Sequence, residues 1–196
     1  MEGMIPPEIL LSAYAQGVFP MAEDGEILWF EPRRRGLIPL DGRFHVPRRL
    51  VRRMRQEPFE IAWDRDFEGV MRGCAGREET WIDETIVRSY CELQRLGCAH
   101  SVECYEGGAL VGGLYGVALG RVFFGESMFS RSTDASKVAL VEMVGRLRAC
   151  GFRLFDTQWL TPHLEQFGGY EVGRDEYLGM LADALEEGPP EDGLVT

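Results

Sequence analysis

The sequence is short of lysine, histidine and paired cysteine, and each shortage excludes something. Of 21 basic residues only Lys137 is a lysine, a bias that carries no functional claim by itself. The three histidines, His45, His100 and His163, are dispersed without metal-ligand spacing, so no metal is expected. The five cysteines (Cys74, Cys91, Cys98, Cys104 and Cys150) are odd in number and contain no CxxC. That argues against a disulfide framework or zinc ribbon and for a reducing, cytoplasmic setting. None of them sits in a recognisable nucleophile context, and no Ser–His–Asp order is evident. No apolar run reaches the length of a membrane span and no signal-peptide pattern opens the chain, so a membrane or secreted protein is not expected. No internal repeat is visible.

What is present is a globular composition. At 196 residues and 45% hydrophobic, the chain suits one moderately large domain, or one domain with a small appendage. A net charge of −11 argues against nucleic acid as a general partner, but the distribution says more. From Arg33 to Arg55 there are nine arginines against one acid, Asp41, a local +8 that leaves −19 for the remainder. A basic patch on an acidic body is a local electrostatic footprint. Within it, Pro47 suits the first turn of a helix running to about Gln56. Arg48, Arg52 and Arg55 then share one face. The bland reading is a solvated face, yet no acid relieves their repulsion before Glu57, which favours phosphate binding.

In order, Pro6 and Pro7 precede a helical pattern (Ile9, Leu10, Ala13, Tyr14) that stops at Gly17. Val18 to Met21 reads as an apolar connector and Ile27 to Phe30 as a short strand ended by Pro32. Residues Pro32 to Gly42 read as the seam between a small N-terminal domain, 1–33, and a main domain, 34–196. Phe59 to Trp63 reads as a strand and Asp66 to Cys74 as a short helix. Asp83 suits the cap of a helix carrying Ile86, Tyr90, Leu93 and Leu96. Three strands follow, His100–Tyr105, Ala109–Leu119 and Val122–Gly125. The middle one carries Gly112, Gly113 and Gly116, which suggests a bulge or close backbone approach. Asp134 is a plausible cap for a helix burying Leu140, Met143, Val144 and Leu147. Phe152 to Phe155 reads as a buried strand, Thr161-Pro162 as the start of a turn or helix, and Asp175 as the cap of a last helix. An acidic tail follows Gly188-Pro189-Pro190.

Two stretches carry candidate chemistry. Phe123 to Lys137, FFGESMFSRSTDASK, sets Glu126 after Gly125, then leads into a helix N-terminus carrying Lys137. That is a suitable floor for an anionic ligand, or an ordinary strand–turn–helix connection. Asp156 and Gln158 end a core strand and flank Thr157, so alternation puts their side chains on one face. A strand-end aspartate capping the next turn is the bland alternative.

The order strand, strand, strand, helix, strand, helix, strand resembles the acyltransferase fold of many N-acetyltransferases, a GNAT-like fold whose site lies where two central strands splay. The fold class expected is α+β, with a mixed, mostly antiparallel sheet flanked by helices. The pyrophosphate loop of coenzyme-A members does not fit: Arg131 starts such a frame, but Asp134 and Ser136 stand where its glycines belong.

Several blocks go further. They are Ala13-Tyr14 with Gly17-Val18-Phe19-Pro20, Trp29 with Pro32, Phe44-His45-Val46 with Arg48, Thr80-Trp81-Ile82, and His100-Ser101-Val102-Glu103. Leu110 to Val117, Gly125 to Ser130, Ala135-Ser136-Lys137, Asp156-Thr157-Gln158 and His163 complete them. In this order they resemble the bacterial leucyl/phenylalanyl-tRNA–protein transferases over almost the whole chain. Departures lie near the N-terminus: Trp29-Phe30-Glu31-Pro32 replaces Trp-Trp-Ser-Pro, a Gly-Gly-Asp-Leu turn is absent, and Met21 stands where some members have tryptophan.

The resemblance implies transfer of Leu or Phe, and less so Met, from aminoacyl-tRNA to the α-amine of proteins beginning with Arg or Lys, marking them for N-end-rule degradation. No cofactor is expected, because the ester is already activated. The implied partners are Leu-tRNA, Phe-tRNA and such proteins, with a cytoplasmic monomer acting off the membrane. The resemblance makes Gln158 the group that orients the amine. Asp156 takes or stabilises the proton, directly or through Gln158. Glu126 meets the cationic N-terminal residue or the ammonium, or is a plain salt-bridged acid. Leu114, Phe123, Met128 and Phe155 are candidate walls of an apolar aminoacyl pocket, or ordinary core. Trp81 is a candidate to stack on the terminal adenine, or equally a buried residue ahead of a helix. Arg48, Arg52, Arg55 and Lys137 are candidates for tRNA phosphates. Two other classes stay open, a coenzyme-A-dependent N-acyltransferase and a non-catalytic tRNA- or peptide-binding module.

Overall fold

The computed structural model describes residues 3–77, 79–190 and 193–194; Glu191 and Asp192 of the expected acidic tail lie outside them. The elements run α1 (Pro7–Ala15), β1 (Phe19–Glu23), β2 (Glu26–Phe30), β3 (Arg34–Ile38), α2 (Arg48–Met54), β4 (Glu60–Trp63), α3 (Phe67–Ala75) and α4 (Glu84–Arg95). Then come β5 (Ala99–Glu106), β6 (Ala109–Leu119), β7 (Val122–Ser130), α5 (Ala135–Ala149), β8 (Leu154–Asp156), α6 (Pro162–Glu165), β9 (Tyr170–Gly173) and α7 (Arg174–Glu186). The α+β class is as expected. β1 and β2 form a hairpin of their own, and seven strands form one mixed sheet in the order β4-β5-β6-β7-β8-β3-β9. All its pairings are antiparallel except β7 with β8.

Local chemistry accounts for several boundaries. Asp66 caps α3 by accepting from Gly69 N, and Asp83 caps α4 by accepting from Ile86 N. Two expected caps do not form. Asp134 adopts a left-handed φ of 69° with no side-chain cap bond, because its carboxylate is taken by Lys137 Nζ at 2.7 Å. α7 begins after Gly173, which leaves Asp175 inside its first turn, where it faces the positive end of the helix dipole.

Three strands escape the sequence reading. The connector Val18 to Met21 contributes to β1, and the short edge strand β9 hides behind Gly168 and Gly169. The third is a correction to the seam. Arg34–Ile38 is a strand of the main sheet between β8 and β9, and Arg35, Leu37 and Ile38 are buried in it. The proline flanks and arginine run conceal it, because the charge that should forbid burial is neutralised elsewhere in the fold.

The sheet separates two cores. On one face Tyr115, Val117, Val122 and Phe124 pack with buried residues of α1, α3, α4 and α7. On the other, Val102, Leu114, Phe123 and Phe155 pack with residues of α2, α5 and α6. Ile5, Leu10, Tyr14 and Phe19 belong to the first core, so the N-terminal segment packs into the main body. β6 and β7 change register: Tyr115 faces Ser127 while Gly116 faces Gly125, which leaves Glu126 as the extra residue of a bulge. Gly116 permits it, since a Cβ there would overlap the Phe124 carbonyl oxygen.

Candidate active site

β7 and β8 stay paired only from Val122↔Leu154 to Phe124↔Asp156. β8 then ends while β7 continues to Ser130, and a cleft of about 640 Å³ opens where they part. Bulging at Glu126 turns its side chain out of the strand alternation and into this cleft. Such re-aiming is a common use of a bulge beside a site.

The two expected catalytic side chains lie in different places. Asp156 is fully buried and does not line the cleft. Arg35 Nε donates to both its oxygens at 2.9 and 3.0 Å, and Arg35 Nη2 donates to Oδ2 at 2.7 Å. Tyr177 donates its hydroxyl to Oδ2 at 2.7 Å, and the Gln158 backbone N–H donates to Oδ1 at 2.8 Å. Arg35 also donates to the Gly17 carbonyl at 2.8 Å, and its guanidinium lies over the rings of Phe19 and Tyr177. This network ties the N-terminal segment, β3 and α7 to the end of β8.

Gln158 lies past the strand end, with a left-handed φ of 59°. The expectation that alternation puts Asp156 and Gln158 on one face is therefore corrected, because the strand stops at Asp156. Backbone bonds to Gly36 hold the turn, from Thr157 N at 2.9 Å to the Gly36 carbonyl and from Gly36 N at 3.0 Å to the Gln158 carbonyl. Only glycine fits at 36, where a Cβ would overlap Leu160 N. A non-glycine residue at such a φ costs on the order of 1–3 kcal/mol, and Asp156 supplies the bond that holds it. Gln158 thereby presents its amide to the cleft, where Nε2 donates to Glu126 Oε1 at 3.1 Å.

Glu126 Oε2 accepts from the Tyr90 hydroxyl at a long 3.4 Å, and the Tyr90 and Tyr14 hydroxyls are hydrogen-bonded to each other. Burial pushes the Glu126 carboxyl up to about 8, helped by the Asp156 charge and opposed by the nearby hydroxyls of Tyr14 and Tyr90 and by the Arg35 charge. Burial, reinforced by the Glu126 charge, raises both tyrosines well above their ordinary value, so both remain protonated donors.

Leu114, Met128 and Phe155, three of the four candidate pocket walls, line the cleft, joined by Phe129, Leu140 and Leu164. Phe123 does not line it. It shares their face of the sheet but lies deeper, fully buried and edge-on to Phe155 with centroids 5.3 Å apart. Trp81 lines the rim. Trp159, which the sequence reading passed over, is 44% exposed and lines the cleft, its ring edge-on to Phe19. His163 lines the cleft too, its Nε2 buried without a partner among the described residues. Burial, then the Lys137 charge, holds its pKa below the usual histidine value.

Arg77 and Arg131 bring positive charge to the cleft that the sequence reading missed. Lys137 does not line the cleft and is held by Asp134. Arg48, Arg52 and Arg55 are exposed on α2 and its C-terminal cap, with no carboxylate partner among the described residues. The sequence reading also missed Arg35, Tyr14, Tyr90 and Tyr177 as parts of the site. A tyrosine on a buried helix stripe is the available signal, since its hydroxyl must find a partner inside.

Comparison with known proteins decides the family. The profile described as "Leucyl/phenylalanyl-tRNA protein transferase" matches residues 37–182, and that of the corresponding N-terminal domain matches residues 3–33. The chain belongs to the leucyl/phenylalanyl-tRNA protein transferase family. A relative of that name from Cereibacter sphaeroides is 57% identical over 93% of this chain and 86% of its own. One from Paramagnetospirillum magneticum is 57% identical over 92% and 89%. One from Akkermansia muciniphila is 55% identical over 95% and 100%. A solved structure described as L-PGS from Bacillus licheniformis aligns with 79% of this chain and 50% of its own, at 14% identity and a TM-score of 0.45. Family membership makes this chain an aminoacyltransferase, and no described helix is long and apolar enough to cross a membrane.

Proposed function

We propose that the chain transfers leucine or phenylalanine, and methionine less readily, from aminoacyl-tRNA to the α-amine of proteins that begin with arginine or lysine. tRNA-dependent aminoacyl transfer to protein is the family's activity; the choice of donor and acceptor is our reading of the cleft. One observation carries it: an apolar floor of Leu114, Met128 and Phe155 shares a single cleft with the polar pair Glu126 and Gln158. The floor suits an apolar side chain such as leucine or phenylalanine, and the pair suits an ammonium.

In this reading Gln158 orients the amine and Asp156 fixes Gln158. Holding amine and ester carbonyl together supplies much of the rate, because the ester needs no further activation. Trp81 stacks on the terminal adenine of the donor, and Arg48, Arg52 and Arg55 meet its phosphates. The product's new N-terminus marks it for degradation in the cytoplasm. The layout also supports a GNAT-like acyltransferase domain over 34–196, with 1–33 as a small domain that walls the cleft through Phe19 and Met21.

The test is to incubate the protein with labelled Leu-tRNA and a peptide starting with Arg, with an acyl-CoA donor in parallel. Label is expected in the peptide from the tRNA alone. Transfer from acyl-CoA only, or tRNA binding without transfer, would replace this reading with a coenzyme-A acyltransferase or a binding module.

A further inference from the structure

We infer that Glu126 takes the proton of the acceptor's α-ammonium, and that Tyr14 and Tyr90 are positioning residues that hold its carboxylate and set its basicity. This rests on the aminoacyl-transfer reading given above. The site has two carboxylates, and only one is open. Asp156 is closed behind Arg35, Tyr177 and the Gln158 N–H, and has no face on the cleft. Glu126 lines the cleft, set there by the bulge, and accepts from Gln158 Nε2 and the Tyr90 hydroxyl. Because the Gln158 amide spends its N–H on Glu126, its carbonyl oxygen is left to accept from an incoming ammonium. Amide and carboxylate thus form an adjoining pair of acceptors.

The surroundings are one-sided. Tyr14 comes from α1, Tyr90 from α4 and Tyr115 from β6, all three fully buried, and the Tyr115 hydroxyl has no partner among the described residues. Arg35 of β3 and Asp156 of β8 act on Glu126 with opposite sign. Tyr177 of α7 is spent on Asp156, and Cys74 and Arg77 lie on the α3 side beside Ser127. Burial raises the carboxyl to about 8 against the hydroxyls that pull it down, a value matched to an α-amine of about 7.7–8.0.

The protons balance. The ammonium gives one proton to the Glu126 carboxylate, and the freed lone pair forms the C–N bond at the ester carbonyl. The C–O bond to the ribose 3′ oxygen then breaks, and that oxygen leaves with a second proton from the nitrogen. Glu126 returns its proton to water.

The experiment is a kcat–pH profile at saturating Leu-tRNA and Arg-starting peptide, for wild type, Tyr14→Phe, Tyr90→Phe and Glu126→Gln. Peptides of different amine pKa separate the amine's own titration. The Tyr90 hydroxyl, bonded to the carboxylate, and the Tyr14 hydroxyl, bonded to Tyr90, both favour the charged form, so removing either raises the Glu126 pKa. The low-pH limb should therefore move up by about one unit in each Phe variant, with peptide KM little changed. Glu126→Gln should lower kcat by about 10²-fold or more. Carbon-13 NMR of the glutamate carboxyls should show one resonance titrating near 8, moved upward in Tyr90→Phe and missing in Glu126→Gln. Unmoved limbs and an unmoved resonance in both Phe variants, or undiminished kcat in Glu126→Gln, would overturn this inference alone. Absence of any transfer by the wild type would overturn the aminoacyl-transfer reading, and this one with it.

Discussion

The two regions where the chain gathers charge treat it in opposite ways. Behind the cleft, Arg35 and Asp156 are 1% and 0% exposed and satisfy each other, with Tyr177 and the Gly17 carbonyl taking up the remaining bonds. On α2, Arg48, Arg49 and Arg52 stand in solvent with no carboxylate partner among the described residues. The first arrangement spends charge on architecture. The second leaves it available to a ligand, as proposed for tRNA phosphates. Glu126 falls between them, recessed like Asp156 but open on the cleft side like the arginines. The contrast separates charge that the fold satisfies from charge that the fold leaves for the proposed ligands to meet.

Removing one partner of the buried pair should have the largest effect. Asp156→Ala strands the Arg35 guanidinium in the core, and breaking such a pair costs about 3–5 kcal/mol. Arg48→Ala should stay within about 0.5 kcal/mol, as surface changes usually do. Urea unfolding of both variants measures the difference. Equal midpoints would erase the contrast between spent and reserved charge.

Gln158→Ala should come next. It leaves the ion pair intact but removes the amide proposed to orient the amine, and misplacing a reactant by about 1 Å can cost 10²-fold in rate. Turnover should therefore fall by about 10²-fold, with tRNA affinity and stability largely kept. Near wild-type turnover would reduce Gln158 to a link between Glu126 and the turn.

Glu126 makes a subtler test because its charge is only partly satisfied. In the unfolded chain it ionises near 4.3, but in the fold burial holds the proton up to about 8. Between those values the folded state binds more protons than the unfolded one, so this group lowers stability as pH rises from about 4.3 to about 8. Glu126→Gln removes that slope. The stability of Glu126→Gln relative to wild type should grow across the window and level off above it. A difference that does not change with pH would mean that the carboxyl ionises as freely in the fold as in the unfolded chain.

The same contrast explains what could be read in advance. Helix starts at Asp66 and Asp83 were legible because each needs only its own next turn. The central strands were legible from apolar runs with turn residues between them, and the mixed, mostly antiparallel sheet was expected from the resemblance of their order to the acyltransferase fold. β3 was not, because Arg35 is indistinguishable from Arg33 and Arg34 until Asp156 is brought to it from 121 residues away. The glycines of β6 announced an irregularity, but its extra residue falls on β7, at Glu126, and strand pairing alone reveals that. Asp156 and Gln158 were singled out by their place at a strand end together with the family resemblance, yet the turn that separates their side chains depends on Gly36 from another strand. Local chemistry was readable, whereas non-local neutralisation was hidden.

The exposed arginines give the smallest effect per residue and the cleanest reading. The acidic body repels a polyanion at long range, so the exposed arginines of α2 and its cap, which have no carboxylate partner among the described residues, must supply much of the attraction. Arginine–phosphate pairs carry no sequence information directly, and each releases counterions. Every such pair removed should then reduce the slope of log K against log salt by about 0.7–0.9. Replacing Arg48, Arg52 and Arg55 together by Ala should weaken binding of Leu-tRNA and Phe-tRNA alike. Selection between those donors should not move if it is made, as proposed, against Leu114, Met128 and Phe155 in the cleft. At saturating tRNA, turnover should recover most of its wild-type value. A salt titration of tRNA binding for wild type and triple variant decides it. Parallel lines of equal affinity would make α2 a solvated face and shift the docking role to Arg77 and Arg131 at the cleft.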